Sequence, residues 1–318
     1  MPERSDVLTA RPLGPDDRDA VCDLVAESDL ATVGFVDFTP DSIAVDLAKA
    51  SIETTGWYDE DGTLVGYGWL RRIEQTNQVE LDVYVRPSYD AGLGHEMLAR
   101  LEERARALAA EAGHAEPWTG MGVYRKDTRA QDWLRAAGYR TDTTFTRMRI
   151  DFDQTTGSGQ PAEPPATDVV VRRVTDEADL RIAHDIDEES FLEHYGNVPI
   201  PFESWLERLT ERGDDFSQVY LAYVDGAPVG LLISNRDFEQ DDNAGYVRTL
   251  GVLPAGRGRG VGTALLRDYF ARARAEGRSA VLLHVDVANV TSALRLYESV
   301  GMRVVLEIDA WGKGERVG

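Results

Sequence analysis

Four landmarks occur twice in this chain, in one order and at nearly one separation. Asp61-Gly62-Thr63-Leu64-Val65-Gly66 returns as Asp225-Gly226-Ala227-Pro228-Val229-Gly230, 164 residues further on. Val85-Arg86-Pro87 returns as Val252-Leu253-Pro254 after 167 residues, and Gly92-x-Gly94 as Gly260-x-Gly262 after 168. Ala137-Gly138-Tyr139 returns as Val300-Gly301-Met302 after 163. Such a chain is expected to fold as one architecture made twice, with loop lengths drifting between the copies. Each Asp-Gly lies between apolar runs and signals a β-hairpin. Between the copies, Asp151 to Asp168 is rich in Pro, Gly, Ser and Thr, cannot build a core and reads as a linker. The expected division is residues 1–150, a linker at 151–167, and residues 168–318, two domains of ordinary size.

The second copy is the easier to parse. Strands are expected at 169–174, 219–224, 228–234, 246–252, 280–286 and 303–309. Helices are expected at 177–190, with Asp176 or Thr175 as cap, and at 202–212, 263–276 and 291–300. Helices interrupting a largely antiparallel set of strands give a mixed α/β sheet.

The apolar run from Tyr246 to Pro254 leads into Arg257-Gly258-Arg259-Gly260-Val261-Gly262, which opens an amphipathic helix reaching about Gly277. A strand feeding a glycine-rich turn at a helix start leaves backbone N–H groups without helical partners. With the positive end of the helix dipole they make a site for phosphate or pyrophosphate. The glycines let the backbone approach and take φ > 0, and Arg257 and Arg259 add charge. The spacing excludes the dinucleotide fingerprint, because the last glycine slot falls on Thr263 or Val261, and no Gly-Lys-Ser/Thr follows as a P-loop needs. What remains is Arg-x-x-Gly-x-Gly, against the plain alternative of a glycine-rich strand-to-helix turn.

Beyond the strand 280–285 comes Asn289-Val-Thr-Ser-Ala-Leu-Arg-Leu-Tyr297-Glu-Ser-Val-Gly301-Met302. This block and the glycine turn resemble the GNAT acetyltransferase superfamily, over roughly residues 169–313 and more weakly over 8–150. The resemblance implies an α/β fold of two tandem GNAT-like domains, each a mixed, largely antiparallel twisted sheet flanked by helices. It implies acetyl-CoA as co-substrate. Main-chain groups of Leu250 and Val252 would hold the pantetheine arm, the Val252 amide polarising the thioester carbonyl. Amides of Arg257, Gly258, Arg259, Gly260, Val261, Gly262 and Thr263 would take the pyrophosphate. Tyr297 would protonate the departing thiolate, and Asn289 would bond the cofactor or brace the next turn. The plain alternatives are a core or rim tyrosine and a helix cap.

Many relatives place a glutamate base on the strand before the turn; here that stretch offers Tyr246, Arg248 and Thr249. Substitutes are Glu193 and His194, in the loop that borders the acceptor pocket in this superfamily. An imidazole titrates near pH 6.5 and suits the task. The first copy departs further. Its turn reads Tyr89-Asp90-Ala91-Gly92-Leu93-Gly94, with tyrosine for the leading basic residue and an acid where phosphate should sit. Leu134 stands where the second copy has Tyr297, and Trp133 reads as core packing. The first domain is therefore expected to be degenerate, either structural or shaping the acceptor pocket of the second.

A net charge of −22 opposes nucleic acid, and would attract a cationic amine at long range. No apolar run reaches the ~18 residues of a membrane span, and the polar, charged first ten residues are unlike a secretory signal. Cys22 is the only cysteine, which excludes an internal disulfide and a cysteine zinc site and points to a reducing cytoplasm. The five histidines have no metal-ligand spacing. The expectation is an N-acetyltransferase acting on a small primary amine by direct transfer in a ternary complex, as a monomer or homodimer. Its partners would include neither nucleic acid nor membrane, and mycothiol synthase-type chemistry is one substrate reading. The rival is an acyl-CoA-binding or sensing protein without chemistry.

Overall fold

The structure, a computed structural model, describes residues 8–89, 91–152, 168–192, 200–210, 216–236, 238, 242–286 and 290–317. Chain packing groups it into two compact units, residues 1–145 with 306–318, and residues 146–305.

The first unit runs β1 (Thr9–Pro12), α1 (Arg18–Thr32), α2 (Pro40–Ala48), β2 (Glu53–Tyr58), β3 (Leu64–Arg72), β4 (Gln78–Val85), α3 (Ala91–Glu111), β5 (Trp118–Tyr124) and α4 (Thr128–Ala136). The local causes are ordinary. Thr39 caps α2 by accepting the Ser42 amide, with Pro40 at the first helical position. The β2–β3 hairpin turns at Gly62, whose φ of 76° suits a residue without Cβ. Leu93, Met97, Leu101 and Ala105, one face of α3, join Trp57, Val79, Leu81 and Val83 in one core. β4 and β5 run parallel, while the β1–β2, β2–β3 and β3–β4 pairs are antiparallel.

The second unit begins within β6 (Arg140–Asp151). It continues with β7 (Val169–Arg173), α5 (Glu177–Phe191), α6 (Phe202–Thr210), β8 (Val219–Val224), β9 (Ala227–Asn235), β10 (Ala244–Val252), α7 (Val261–Ala275), β11 (Ala280–Asp286) and α8 (Val290–Ser299). Asp176 caps α5 through the Asp179 amide. Asp225 and Gly226 both have positive φ, 52° and 81°, the geometry of the tight hairpin between β8 and β9. The strand order is β7-β8-β9-β10-β11-β6, and β10 and β11 are parallel. Leu265, Leu266, Tyr269, Phe270 and Ala273 of α7 pack on Tyr220, Leu232, Val247 and Leu283, each large apolar side chain contributing about 2 kcal/mol by leaving water.

The units do not follow the division expected from the linker. The last strand, β12 (Arg303–Lys313), runs past the expected 309 and from Leu306 belongs to the first unit. It pairs antiparallel with β5, Ile308 opposite Tyr124 through Lys313 opposite Thr119. Trp311 enters the first unit's core, and Arg125 bonds Asp309 and Glu307. In return residues 146–151 of β6 serve the second unit, where Met148 and Phe152 join the core around Phe270. Asp151 therefore ends a strand rather than starting a linker. From residue 153 to 167 the expected linker lies outside the described residues.

Candidate active site

β10 and β11 are paired only from Ala244–Ala280 to Val247–Leu283, though β10 runs on to Val252 and β11 to Asp286. The cause sits on the other edge of β10. Val247 faces Ser234 and Thr249 faces Ile233, so Arg248 is an extra residue, a β-bulge that bends its strand. Beyond it β10 stays with β9 as far as Val252–Gly230 and leaves β11. A cleft of about 650 Å³ fills the opening, walled by Leu250, Val252, Val285, Arg257, Gly260 and Tyr297 among others.

The glycine turn closes one end of this cleft. Gly258 and Gly260 take φ of 72° and 76°, and Gly260 is the left-handed N-cap of α7. A Cβ on Gly258 would meet nothing within 4 Å, so the space over that residue of the turn is open. The Ala264 amide bonds the Gly260 carbonyl, and the first amides of α7 have no helical acceptor. This concavity fits a pyrophosphate. Of the two arginines, Arg257 lines the cleft and its Nε bonds the Val252 carbonyl at 3.4 Å. Arg259 instead turns to Asp225, at 2.9 Å.

Tyr297, on α8, lies on the cleft wall and is 9 % exposed. Burial pushes its phenol up to about 12, so it holds its proton throughout the neutral range. Asn289, Glu193 and His194 lie outside the described residues.

A second cavity, about 290 Å³, shares Phe191, Arg248 and Thr249 with the cleft. Its walls carry groups that the sequence did not single out, Asp187 and Glu188 of α5 and Arg208 of α6. Trp205 Nε1–H donates to Asp187 Oδ2 at 2.8 Å, and burial holds the Asp187 carboxyl above the usual carboxylate range. Glu188 Oε1 accepts the Ile200 amide at 3.4 Å, while Glu188 Oε2 is buried with no partner among the described residues. At the fork of the strands, Arg147 Nε–H donates to His284 Nε2 and the Tyr246 hydroxyl lies against His284 Nδ1, both at 2.9 Å. With Nε2 accepting, the proton is assigned to Nδ1. Burial, then the Arg147 charge, hold His284 down at about 4, so the imidazole is neutral and braces Tyr246.

The same opening exists in the first unit, where β4 and β5 pair only over residues 78–80 and 118–120, but its furniture differs. Gly92 lies inside α3 rather than in a left-handed cap. Leu134 is fully buried in the Tyr297 place. The carbonyl of Tyr89 accepts from Arg129 Nη2 at 3.1 Å, and the ring of Trp133 fills the space a Cβ on Gly94 would need, 2.2 Å away. Trp133 is core, as expected. Asp90 lies outside the described residues.

The pattern of the Acetyltransferase (GNAT) family matches the chain twice, over residues 18–139 and 181–302. A mycothiol acetyltransferase of Frankia casuarinae is 30 % identical over 253 residues, 76 % of this chain and 69 % of that one. A second, of Stackebrandtia nassauensis, is 27 % identical over 255 residues, 76 % of each chain. The crystal structure of a GCN5-related N-acetyltransferase from Sphaerobacter thermophilus superposes with a TM-score of 0.79 at 25 % identity, covering 100 % of this chain and 98 % of that one. The chain belongs to the GNAT acetyltransferase family, carries two such domains and uses acetyl-CoA as co-substrate. No described helix is long and apolar enough to cross a membrane.

Proposed function

We propose that this family member transfers acetyl from acetyl-CoA to the primary amine of a small molecule, in the second unit and by direct attack in a ternary complex. One observation carries the reading. The cleft between β10 and β11 meets, at Phe191, Arg248 and Thr249, a separate pocket that holds a buried carboxylate oxygen without a partner among the described residues. Two compartments joined at one point are what a direct transfer between two bound substrates requires.

In this mechanism the amides of Gly258 to Thr263 hold the pyrophosphate, and the pantetheine arm lies along the free edge of β10 from Leu250 to Val252. The Val252 amide donates to the thioester oxygen as negative charge gathers there. The amine arrives protonated, and Glu188 Oε2 takes its proton. An amine freed of its proton attacks the carbonyl carbon, and the C–S bond breaks. Tyr297 donates to the leaving sulfur, and the second proton that the acylated nitrogen sheds returns through water to its phenolate. Its phenol is a reluctant acid in isolation, yet a thiolate in the same dry cleft is also destabilised by burial, so the proton moves between two groups that burial shifts the same way. Glu188 here takes the role expected above of Glu193 or His194.

The relatives set the first acceptor to try, the substrate of mycothiol acetyltransferases. The test is release of CoA thiol from acetyl-CoA with that acceptor and a panel of small amines. Amine-dependent release supports the reading. Tight acetyl-CoA binding without release for any amine would favour a sensing protein.

A further inference from the structure

The acceptor pocket of the proposed reaction carries more charge than the transfer of one proton needs. α5 brings Asp187 and Glu188 to its wall, the last turn of α6 brings Arg208, and β10 brings Arg248. Much of the remaining wall is apolar, with Phe191, Trp205, Leu209 and Ile233.

The bulge explains how Arg248 comes to stand there. Neighbouring residues of a regular strand point to opposite faces, yet Arg248 and Thr249 both border this pocket. The register shifts between Val247 and Thr249, and a bulge of this kind re-aims a side chain. Arg248 Nη1–H donates to the Arg208 carbonyl at 3.3 Å, which ties the bulge to the end of α6. That bond uses one of the five guanidinium donors, so the fork keeps others for a further acceptor.

In a chain with 56 acidic against 34 basic residues, a guanidinium has many carboxylates to meet. Arg149, Arg173, Arg181, Arg272 and Arg303 of the second unit each pair with one. Among the described residues Arg208 and Arg248 have no such ion pair. Asp187 feels the charge of Arg248, but its Oδ2 is taken by the Trp205 indole. The wall is thus divided between a carboxylate with one oxygen to spare, on Glu188, and two guanidiniums that still have donors to give.

A ligand that satisfies such a wall carries both signs. Resting on the reading that this pocket receives the amine, we propose that the acceptor is an amino acid with an apolar side chain. Its ammonium goes to Glu188, its carboxylate to the guanidiniums of Arg208 and Arg248, and its side chain to Trp205, Leu209 and Ile233. Planar guanidinium forks match a carboxylate in geometry as well as charge. A zwitterion has no net charge, so the −22 of the chain does not repel it at long range. A polyamine, by contrast, would bring like charge up to both arginines.

The experiment is a calorimetric titration of the full-length protein, saturated with CoA, with N-acetyl-L-leucine and with N-acetyl-L-leucinamide. Neither probe has an ionisable amine, so the comparison isolates the carboxylate. The acid should bind about tenfold or more tightly than the amide, and Arg208→Gln and Arg248→Gln should each bring that ratio towards one. Both arginines are exposed, and circular dichroism checks that the variants fold. Equal binding of the two probes, no heat from either at millimolar concentration, or a ratio that both folded variants retain would overturn the proposal. Thiol release from acetyl-CoA with leucine and with leucinamide separates its failure from that of the transfer. Amine-dependent release that does not favour leucine would overturn the carboxylate site alone. No release with either amine, beside acid-selective binding that the variants lose, would overturn the transfer and leave the site standing.

Discussion

The two clefts of this molecule start from one plan and end with opposite chemistry. Both open where a parallel pair of strands stops pairing, and their volumes are close, about 650 and 690 Å³. In the second unit the helix starts at a left-handed glycine, Gly260, with open space over Gly258 just before it, and a phenol stands on the wall. In the first unit the corresponding glycine is absorbed into α3, an indole presses on the next one, and leucine replaces the phenol. Asp37, Asp82 and Asp127 then stand on the wall of the cavity itself. The lesson is that a fold fixes where a cleft forms, and a handful of side chains decide the charge it accepts.

The comparison breaks most directly at Tyr297. Tyr297→Phe should lower turnover about 100-fold or more while leaving acetyl-CoA affinity nearly unchanged, as steady-state kinetics beside calorimetry would reveal. Equal activity would remove the phenol from the reaction and with it the sharpest contrast between the clefts. Glu188→Gln should cost about 100-fold in kcat/KM while leaving acetyl-CoA affinity nearly unchanged. An unchanged kcat/KM would return the base to residues 193–199 or to water.

The glycines offer a paired test. Gly260→Val places a β-branched residue at φ 76° and should cost about 1–3 kcal/mol of strain, read as weaker acetyl-CoA binding. Gly92→Ala lies within a helix and should stabilise by about 0.5–1 kcal/mol, read as a higher Tm with acetyl-CoA binding intact. Equal losses at both would mean that the first turn is a working cradle.

Asp82 gives the smallest expected effect on activity and a distinct one on stability. It sits at about 7 when folded and near 3.9 when unfolded. Below about pH 4 both states are protonated and it contributes nothing. As pH rises from there to 7 the folded state holds more protons, so Asp82 progressively destabilises the fold and does so fully above pH 7. Asp82→Asn should remove that slope and raise stability at pH 8 by about 1–2 kcal/mol, kept modest because the carboxyl still touches cavity water. Denaturant unfolding at pH 5 and pH 8 measures it; a parallel shift at both pH values would show that the carboxyl carries no buried penalty.

Much of this was legible in the sequence because the signals were local. Asp225-Gly226, Gly258-x-Gly260 and Tyr297 are read within a few residues, and the repeat spacing put four landmarks in one order in both copies. The partner of β12 was not, since the residues of a strand name its faces and leave its neighbour open until Trp311 meets the first core. Asp187 and Glu188 look like the polar face of α5, and only Trp205 of α6 and the bulge at Arg248 turn them into a pocket. The Arg147–His284–Tyr246 contact joins residues 137 and 38 positions apart, beyond the reach of any motif.

The central claim is that one cleft takes the co-substrate and the other does not. A calorimetric titration of acetyl-CoA into the full-length protein tests it. The account predicts one equivalent bound, retained in Asp82→Asn and weakened in Gly260→Val. Two equivalents in the unmodified protein, or one that Gly260→Val leaves untouched, would contradict it.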